Sequence, residues 1–359
     1  MFFYMPVHVY SEPYCITRHA DALARLGKRA LIVTGASSAK RNGSLQDTVQ
    51  ALEEKSVTWC LFDQVEENPS TDTVMKARDF GLSEQADFVI GIGGGSPMDA
   101  AKAIALMMQH PAEDASYMED KEKDSGRLPL ALIPTTCGTG SEVTAVSVLT
   151  RKATSHKSSI PHRIFADLAF LDGRYLQMAS PSILANTTMD TFAHLVESYI
   201  NTASTLYTRA IIDQGLSLWR KSKDIVLGQR QATEEDFFTM LNASMCGGMA
   251  IAHTGTTVPH GLSYALTLKA NMPHGKACGY FMKGYLDEAS KEDRNHILSL
   301  AGFKDTDDFL AYYRATCGME TIATDILESS IQDVLKTPAK LAAVPYTMNE
   351  SVLRRIVFY

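Results

Sequence analysis

FVIGIGGGSPMDAAKAIA, residues 88–105, runs from an apolar stretch fit for a buried strand (88–92) through three glycines (93–95) into an alanine-rich helical pattern. Glycine lets backbone come close to a ligand, and the N-terminus of a helix offers N–H groups and a favourable dipole, so this strand, turn and helix are built to hold phosphate. Pro97 falls in the first helical turn, where its missing donor costs little. The spacing is neither the six-residue dinucleotide fingerprint nor a P-loop.

Outward from this stretch, the first half of the chain alternates strand-like and helix-like segments. Residues 28–35 (KRALIVTG) read as a strand into a turn, LQDTVQALEE as an amphipathic helix, and 57–63 (VTWCLFD) as a further strand. The stretch 130–144 (LALIPTTCGTGSEVT) is another strand that ends in hydroxyls and glycines suited to a cofactor's phosphates and ribose. Such alternation predicts an α/β domain with a parallel sheet, whose ligands gather at the carboxyl ends of the strands. After 169–176 (AFLDGRYL) helical periodicity takes over, which predicts an α/β nucleotide-binding domain over 1–178 and an all-helical metal and substrate domain over 179–359. The reaction is expected in the cleft between them.

In the second half, Asp190 and His194 lie four residues apart in NTTMDTFAHLVE. On a helix they share one face and can aim a carboxylate oxygen and an imidazole nitrogen at one point. His260 and His274 follow, each directly after a proline. One carboxylate and three imidazoles suit a borderline cation such as Zn²⁺ or Fe²⁺ better than Ca²⁺. His253, seven residues before His260, is a rival ligand or proton relay.

GGGSPMD, IPTTCGTGSEVT, the Asp190/His194 pair and the two PHG units at 259–261 and 273–275 together resemble the iron-containing (group III) alcohol dehydrogenase family. The resemblance runs from about Tyr4 to the GKA of 275–277 and is diffuse beyond. It implies hydride transfer between a nicotinamide cofactor and an alcohol carbon, with Fe²⁺, or alternatively Zn²⁺, held by Asp190, His194, His260 and His274. Short primary alcohols or diols and their aldehydes, butanol and 1,3-propanediol among them, are the implied substrates, and a homodimer the implied assembly. Cofactor contacts carried over are Asn68, Gly94, Gly95, Ser96, Asp99, Thr135, Thr136 and Thr139, with Lys157 aligning loosely near the nicotinamide ribose. Where many relatives carry a second histidine, four residues after the third ligand, this chain has Tyr264, a pocket wall before it is a proton relay. Cys137 stands where many relatives have Ala, as an oxidation-sensitive thiol or as an inert buried one.

Cofactor choice turns on the end of the first strand. NAD-preferring relatives tend to carry an Asp there; here the residue is Gly35, followed by Ser37, Ser38, Lys40 and Arg41. Small residues, hydroxyls and cations accept a 2′-phosphate, which predicts NADP over NAD. Alternatives are a glycerol dehydrogenase-like zinc enzyme, a dehydroquinate synthase-like lyase, or a non-catalytic NADP and metal sensor. The lyase calls for a Lys/Arg cluster that 179–285 does not display.

With hydrophobic residues at 45%, charged residues at 21% and a net charge of −7, the chain reads as an ordinary soluble protein without a general nucleic-acid or anionic-membrane surface. No secretory signal or membrane span is legible. Six scattered cysteines without CxxC spacing point to reduced thiols and a cytoplasmic setting, where ferrous iron is easiest to keep.

Overall fold

β1 (His8–Ser11), β2 (Arg29–Thr34), β3 (Thr58–Phe62), β4 (Phe88–Gly93), β5 (Leu130–Pro134) and β8 (Leu168–Leu171) form one parallel sheet in the computed structural model, which describes residues 3–151 and 156–359. The order across it is β1-β8-β5-β4-β2-β3. Every residue of β4 and β5 is buried, and β2 is buried beyond Arg29, as expected for central strands covered on both faces. β6 (Val148–Arg151) and β7 (His156–Ser159) make a separate antiparallel pair. β1, β6, β7 and β8 are additions to the strands expected from sequence; each has four residues, too few for a periodic signal.

Topology explains where this sheet binds. From β2 the chain steps outward to β3, then crosses back over β2 to β4. The order therefore reverses between β2 and β4, and the crevice at the carboxyl ends of such a pair is where open α/β sheets take ligands. The loop after β2 begins at Gly35, and the turn after β4 carries Gly94 and Gly95. Register places Gly93 beside Pro134, so the threonines after β5 border the same turn.

Contacts divide the chain into two units. One comprises Met5–Thr136 and Gly140–Met178 and holds every strand among the described residues; the other comprises Ala179–Tyr359, Cys137–Thr139 and, from the first segment, Phe3 and Tyr4. The short piece Cys137–Thr139 groups by its contacts with the helical unit, apart from its neighbours in sequence. Within the second unit, Thr191 donates its hydroxyl to Cys137 O at 2.9 Å and His194 Nδ1 lies 3.1 Å from Gly138 O, which ties that piece to the Pro181–Tyr199 helix.

This helix starts where Ser180 accepts from the Ile183 N–H and Pro181 takes the first turn, and it is buried along most of its length. The Leu206–Arg220, Glu234–Thr254 and His274–Tyr280 helices pack on it. Residues late in the chain complete this core: Phe303, Phe309 and Tyr312 pack with Phe192 and Trp219, and Trp219 Nε1 donates to Thr188 O at 2.7 Å. Among the described residues no helix is long and apolar enough to cross a membrane.

Candidate metal and cofactor site

Three imidazole nitrogens surround one carboxylate oxygen in the helical unit. Asp190 Oδ1 lies 3.6 Å from His260 Nε2, 3.7 Å from His274 Nε2 and 3.8 Å from His194 Nε2. His194 Nε2 and His260 Nε2 are 3.0 Å apart. Asp190 Oδ1 is buried and has no hydrogen-bond partner. A buried, unpaired carboxylate oxygen is costly, and 3.6–3.8 Å is too long for direct bonds to the imidazoles. These separations lie within a few tenths of an ångström of those between ligand atoms sharing a single ion, since bonds of about 2.0–2.2 Å put neighbouring ligands roughly 3–3.6 Å apart. Donor chemistry and the orphaned oxygen therefore both fit a divalent metal.

Helix geometry sets the positions. Asp190 and His194 are one turn apart on the Pro181–Tyr199 helix, His260 sits in the first turn of the Val258–Lys269 helix, and His274 opens the His274–Tyr280 helix. The outer ring nitrogens fix the rings. His194 Nδ1 turns to Gly138 O, and His260 Nδ1 to the fully buried carboxylate of Glu197, which also accepts from the Thr257 N–H and hydroxyl. Partners of this kind hold a ligating imidazole in the tautomer that leaves Nε2 for the metal.

Charge in the cluster follows burial and proximity. Burial pulls His194 down to about 4. Burial also opposes charge on His260 and His274, but Cys278, Glu197 and Asp190 outweigh it and hold His260 well above the usual histidine value and His274 above it. Asp190 stays far below the ordinary carboxylate range because the neighbouring histidines outweigh its desolvation.

His253 is neither ligand nor relay: its Nδ1 lies 2.7 Å from Met249 O, its Nε2 accepts from the Tyr4 N–H at 3.0 Å, and its ring stacks on Phe3. Both nitrogens are spent. Cys137 is 1% exposed, 3.4 Å from the Thr187 hydroxyl, and burial pushes its thiol up to about 11, so it is the inert kind. Tyr264 is 41% exposed with its ring 6.5 Å from that of His274, consistent with a wall beside the cluster.

In the α/β unit the glycine turn is a cradle. Gly93 has φ +153°, and a Cβ there would meet Pro97 Cγ at 2.6 Å. The Gly95–Gln109 helix has Gly94 at its N-cap with no side-chain cap, a helix start of the kind that suits an anion. Ser96 Oγ accepts from the Asn68 N–H at 3.2 Å, and Lys157 Nζ donates to Asn68 Oδ1 at 2.5 Å. Three expected cofactor residues thus meet at one place, assembled by β6 and β7, since Thr150 donates to Asn68 O. Thr135 is tied to β4 by its N–H to Gly93 O, Thr136 is half-buried beside Gly94, and Thr139 groups with the helical unit. Ser37 and Ser38 are exposed after β2, where Lys40 pairs with Asp63 at 2.5 Å.

Asp99 faces inward instead. It accepts from the Ser141 hydroxyl at 2.6 Å and the Val148 N–H at 3.0 Å, bracing the threonine loop and β6. Beneath it the fully buried Lys102 donates to Ser141 Oγ and Val146 O, both at 2.7 Å. Burial brings Lys102 down to about 8 and pushes the neighbouring Glu142, 1% exposed, up to about 7. A carboxyl raised by folding gives stability that is complete below about pH 4.5 and is lost as pH rises through about 7. Glu142→Gln is therefore expected to be more stable than wild type at about pH 8, by roughly 2 kcal/mol, with the gap closing near about pH 5. Melting curves at both pH values check this; an equal gap at both would refute it.

The family model described as iron-containing alcohol dehydrogenase matches residues 6–173, and the C-terminal model of that family matches 184–303. The NADPH-dependent butanol dehydrogenase of Clostridium saccharobutylicum is 29% identical over 77% of this chain and 71% of its own. The sulfoacetaldehyde reductase of Bilophila wadsworthia is 31% identical over 72% and 67%. The crystal structure of an iron-containing alcohol dehydrogenase from Thermotoga maritima superposes with a TM-score of 0.90 at 34% identity, covering 99% of this chain and 98% of that one. The chain belongs to the iron-containing alcohol dehydrogenase family. It is an oxidoreductase that interconverts alcohols and aldehydes with a nicotinamide dinucleotide and a metal.

Proposed function

We propose that Asp190, His194, His260 and His274 hold one divalent ion, Fe²⁺ with Zn²⁺ as the alternative, and that the enzyme uses NADP in preference to NAD on short primary alcohols or diols and their aldehydes. The orphaned, buried Oδ1 of Asp190 among three imidazoles carries the metal reading. When bound, the ion supplies Lewis acidity toward the substrate oxygen and the dinucleotide accepts or returns the hydride. The protein's own share is positional. Glu197 and Gly138 O fix the rings of His260 and His194, Asp190 supplies the compensating charge, and Tyr264 walls the side of His274. Phosphate falls to the Gly94–Ser96 turn and to the cluster of Asn68, Ser96 and Lys157, with Thr135 and Thr136 as hydroxyl donors.

The butanol dehydrogenase relative, NADPH-dependent by name, supports both the cofactor preference and the substrate size. So does the absence of a carboxylate at Gly35, although Lys40 is engaged by Asp63, which leaves the exposed Arg41 to meet a 2′-phosphate. A Cβ at Gly35 would stand 3.4 Å from Val65 O, an ordinary contact, so an aspartate fits. Gly35→Asp is expected to move the NADP:NAD ratio of kcat/KM toward NAD by about tenfold, or ~1.4 kcal/mol. An unchanged ratio places the 2′-phosphate elsewhere. Six cysteines without a disulfide support a cytoplasmic protein, and the family resemblance a homodimer.

Elemental analysis of anaerobically purified protein, coupled to NADPH oxidation with butyraldehyde after reconstitution with Fe²⁺ or Zn²⁺, tests the whole. About one metal per chain with metal-dependent turnover is the expected result; protein that takes up no metal under any condition overturns it.

A further inference from the structure

Cys278 lies one helical turn after His274, fully buried, with Sγ 3.9 Å from His274 Nε2. Asp190, His260, His274 and Cys278 each offer a ligand atom, and these four atoms all lie within 4.8 Å of one another. The cluster is thus a set of five donors, with His194 joined to it through Asp190 and His260. Resting on the metal reading above, we propose that Cys278 is a fifth protein ligand to this ion, bound as a thiolate that gives up its proton to solvent as the bond forms.

Three observations carry this. Cys278 shares the His274–Tyr280 helix with His274 at the i, i+4 spacing that pairs Asp190 with His194, so the two helices present matching pairs of donors to one point. The orphaned, buried Asp190 Oδ1 belongs to the same group of donor atoms, and a cation there would satisfy it. Other cysteines have ordinary structural neighbours: Cys137 the Thr187 hydroxyl, Cys60 the Ala30 carbonyl and Cys317 the Ala185 carbonyl. An ion with bonds of about 2.0–2.1 Å to nitrogen and about 2.3 Å to sulfur separates these atoms by roughly 3.6 Å, so the 3.9 Å between Sγ and Nε2 closes with a shift of a few tenths of an ångström. A soft thiolate among imidazoles tilts the centre from ferrous iron toward zinc and cobalt.

Reconstitution of the metal-free full chain with Co²⁺ alone reads this without reference to turnover. Wild type is expected to show cobalt d–d bands together with an intense near-ultraviolet thiolate-to-cobalt band; Cys278→Ser keeps the former and loses the latter, while Cys137→Ser keeps both. X-ray absorption at the zinc edge of wild type should show one sulfur at about 2.3 Å, a result that stands even if the serine variant does not fold. Bound cobalt or zinc with no sulfur signature, or a thiolate band that persists in Cys278→Ser, overturns the thiolate ligand and leaves the four-residue site intact. Failure of wild type to bind cobalt at all, or binding indifferent to Asp190→Ala, overturns both.

Discussion

Asp190→Ala is expected to reduce bound metal from about one per chain to under a tenth and to lower kcat by at least ~10³-fold, the several kcal/mol that Lewis-acid stabilisation supplies. The contrast between two carboxylates within the cluster supports this size of effect. Glu197 touches His260 directly, as a carboxylate does when it holds an imidazole N–H. Asp190 stands 3.6–3.8 Å from all three Nε2 atoms and bonds to none of them through Oδ1. An ion-pair partner would close that gap; a co-ligand keeps it. Without Asp190, a buried dication would lose the carboxylate at the centre of its donor set and keep only the Cys278 thiolate against its charge. Asp190→Asn, which preserves shape but not charge, is expected to lose metal too, with the melting temperature of the metal-free protein close to wild type. Stoichiometric metal in either variant would remove Asp190 from the site.

The α/β half was legible because its signals are local. An apolar run, three glycines and an alanine-rich helix occupy adjacent positions, and β4 with the Gly95–Gln109 helix follows them residue by residue. Asp190 and His194 were legible from helical period alone. His260 and His274 had no such period linking them to that pair, and only the resemblance joined them. Glu197 sits on the same face as Asp190 and His194, seven residues on from Asp190, but its role depends on a histidine 63 positions away. Cys278 repeats the Asp190/His194 spacing with His274, a signal that sits in the sequence one residue beyond the GKA of 275–277. The union of Cys137–Thr139 with the helical unit, and the inward turn of Asp99 toward Ser141 and Val148, are products of long-range hydrogen bonds that no window of sequence contains.

Gly275→Ala is expected to do nearly as much damage as the loss of a ligand, from a residue that binds nothing. A Cβ at Gly275 would sit 1.9 Å from Asn186 O and 2.8 Å from Asp190 Cβ. The first neighbour is backbone in the middle of the Pro181–Tyr199 helix and cannot rotate away, so the two helices must separate to admit one methyl group. Their close approach is what brings His274 Nε2 to 3.7 Å from Asp190 Oδ1. Separation by even ~1 Å would break the shared point at which the donors meet, since ligand distances tolerate only about ±0.2 Å. The variant is expected to lose about 3 kcal/mol or more of stability and to bind metal at least ~10-fold more weakly. Denaturant unfolding of the metal-free protein separates the two effects from each other. A variant of wild-type stability that also retains its metal would mean that the helices do not meet at Gly275 as closely as the site requires.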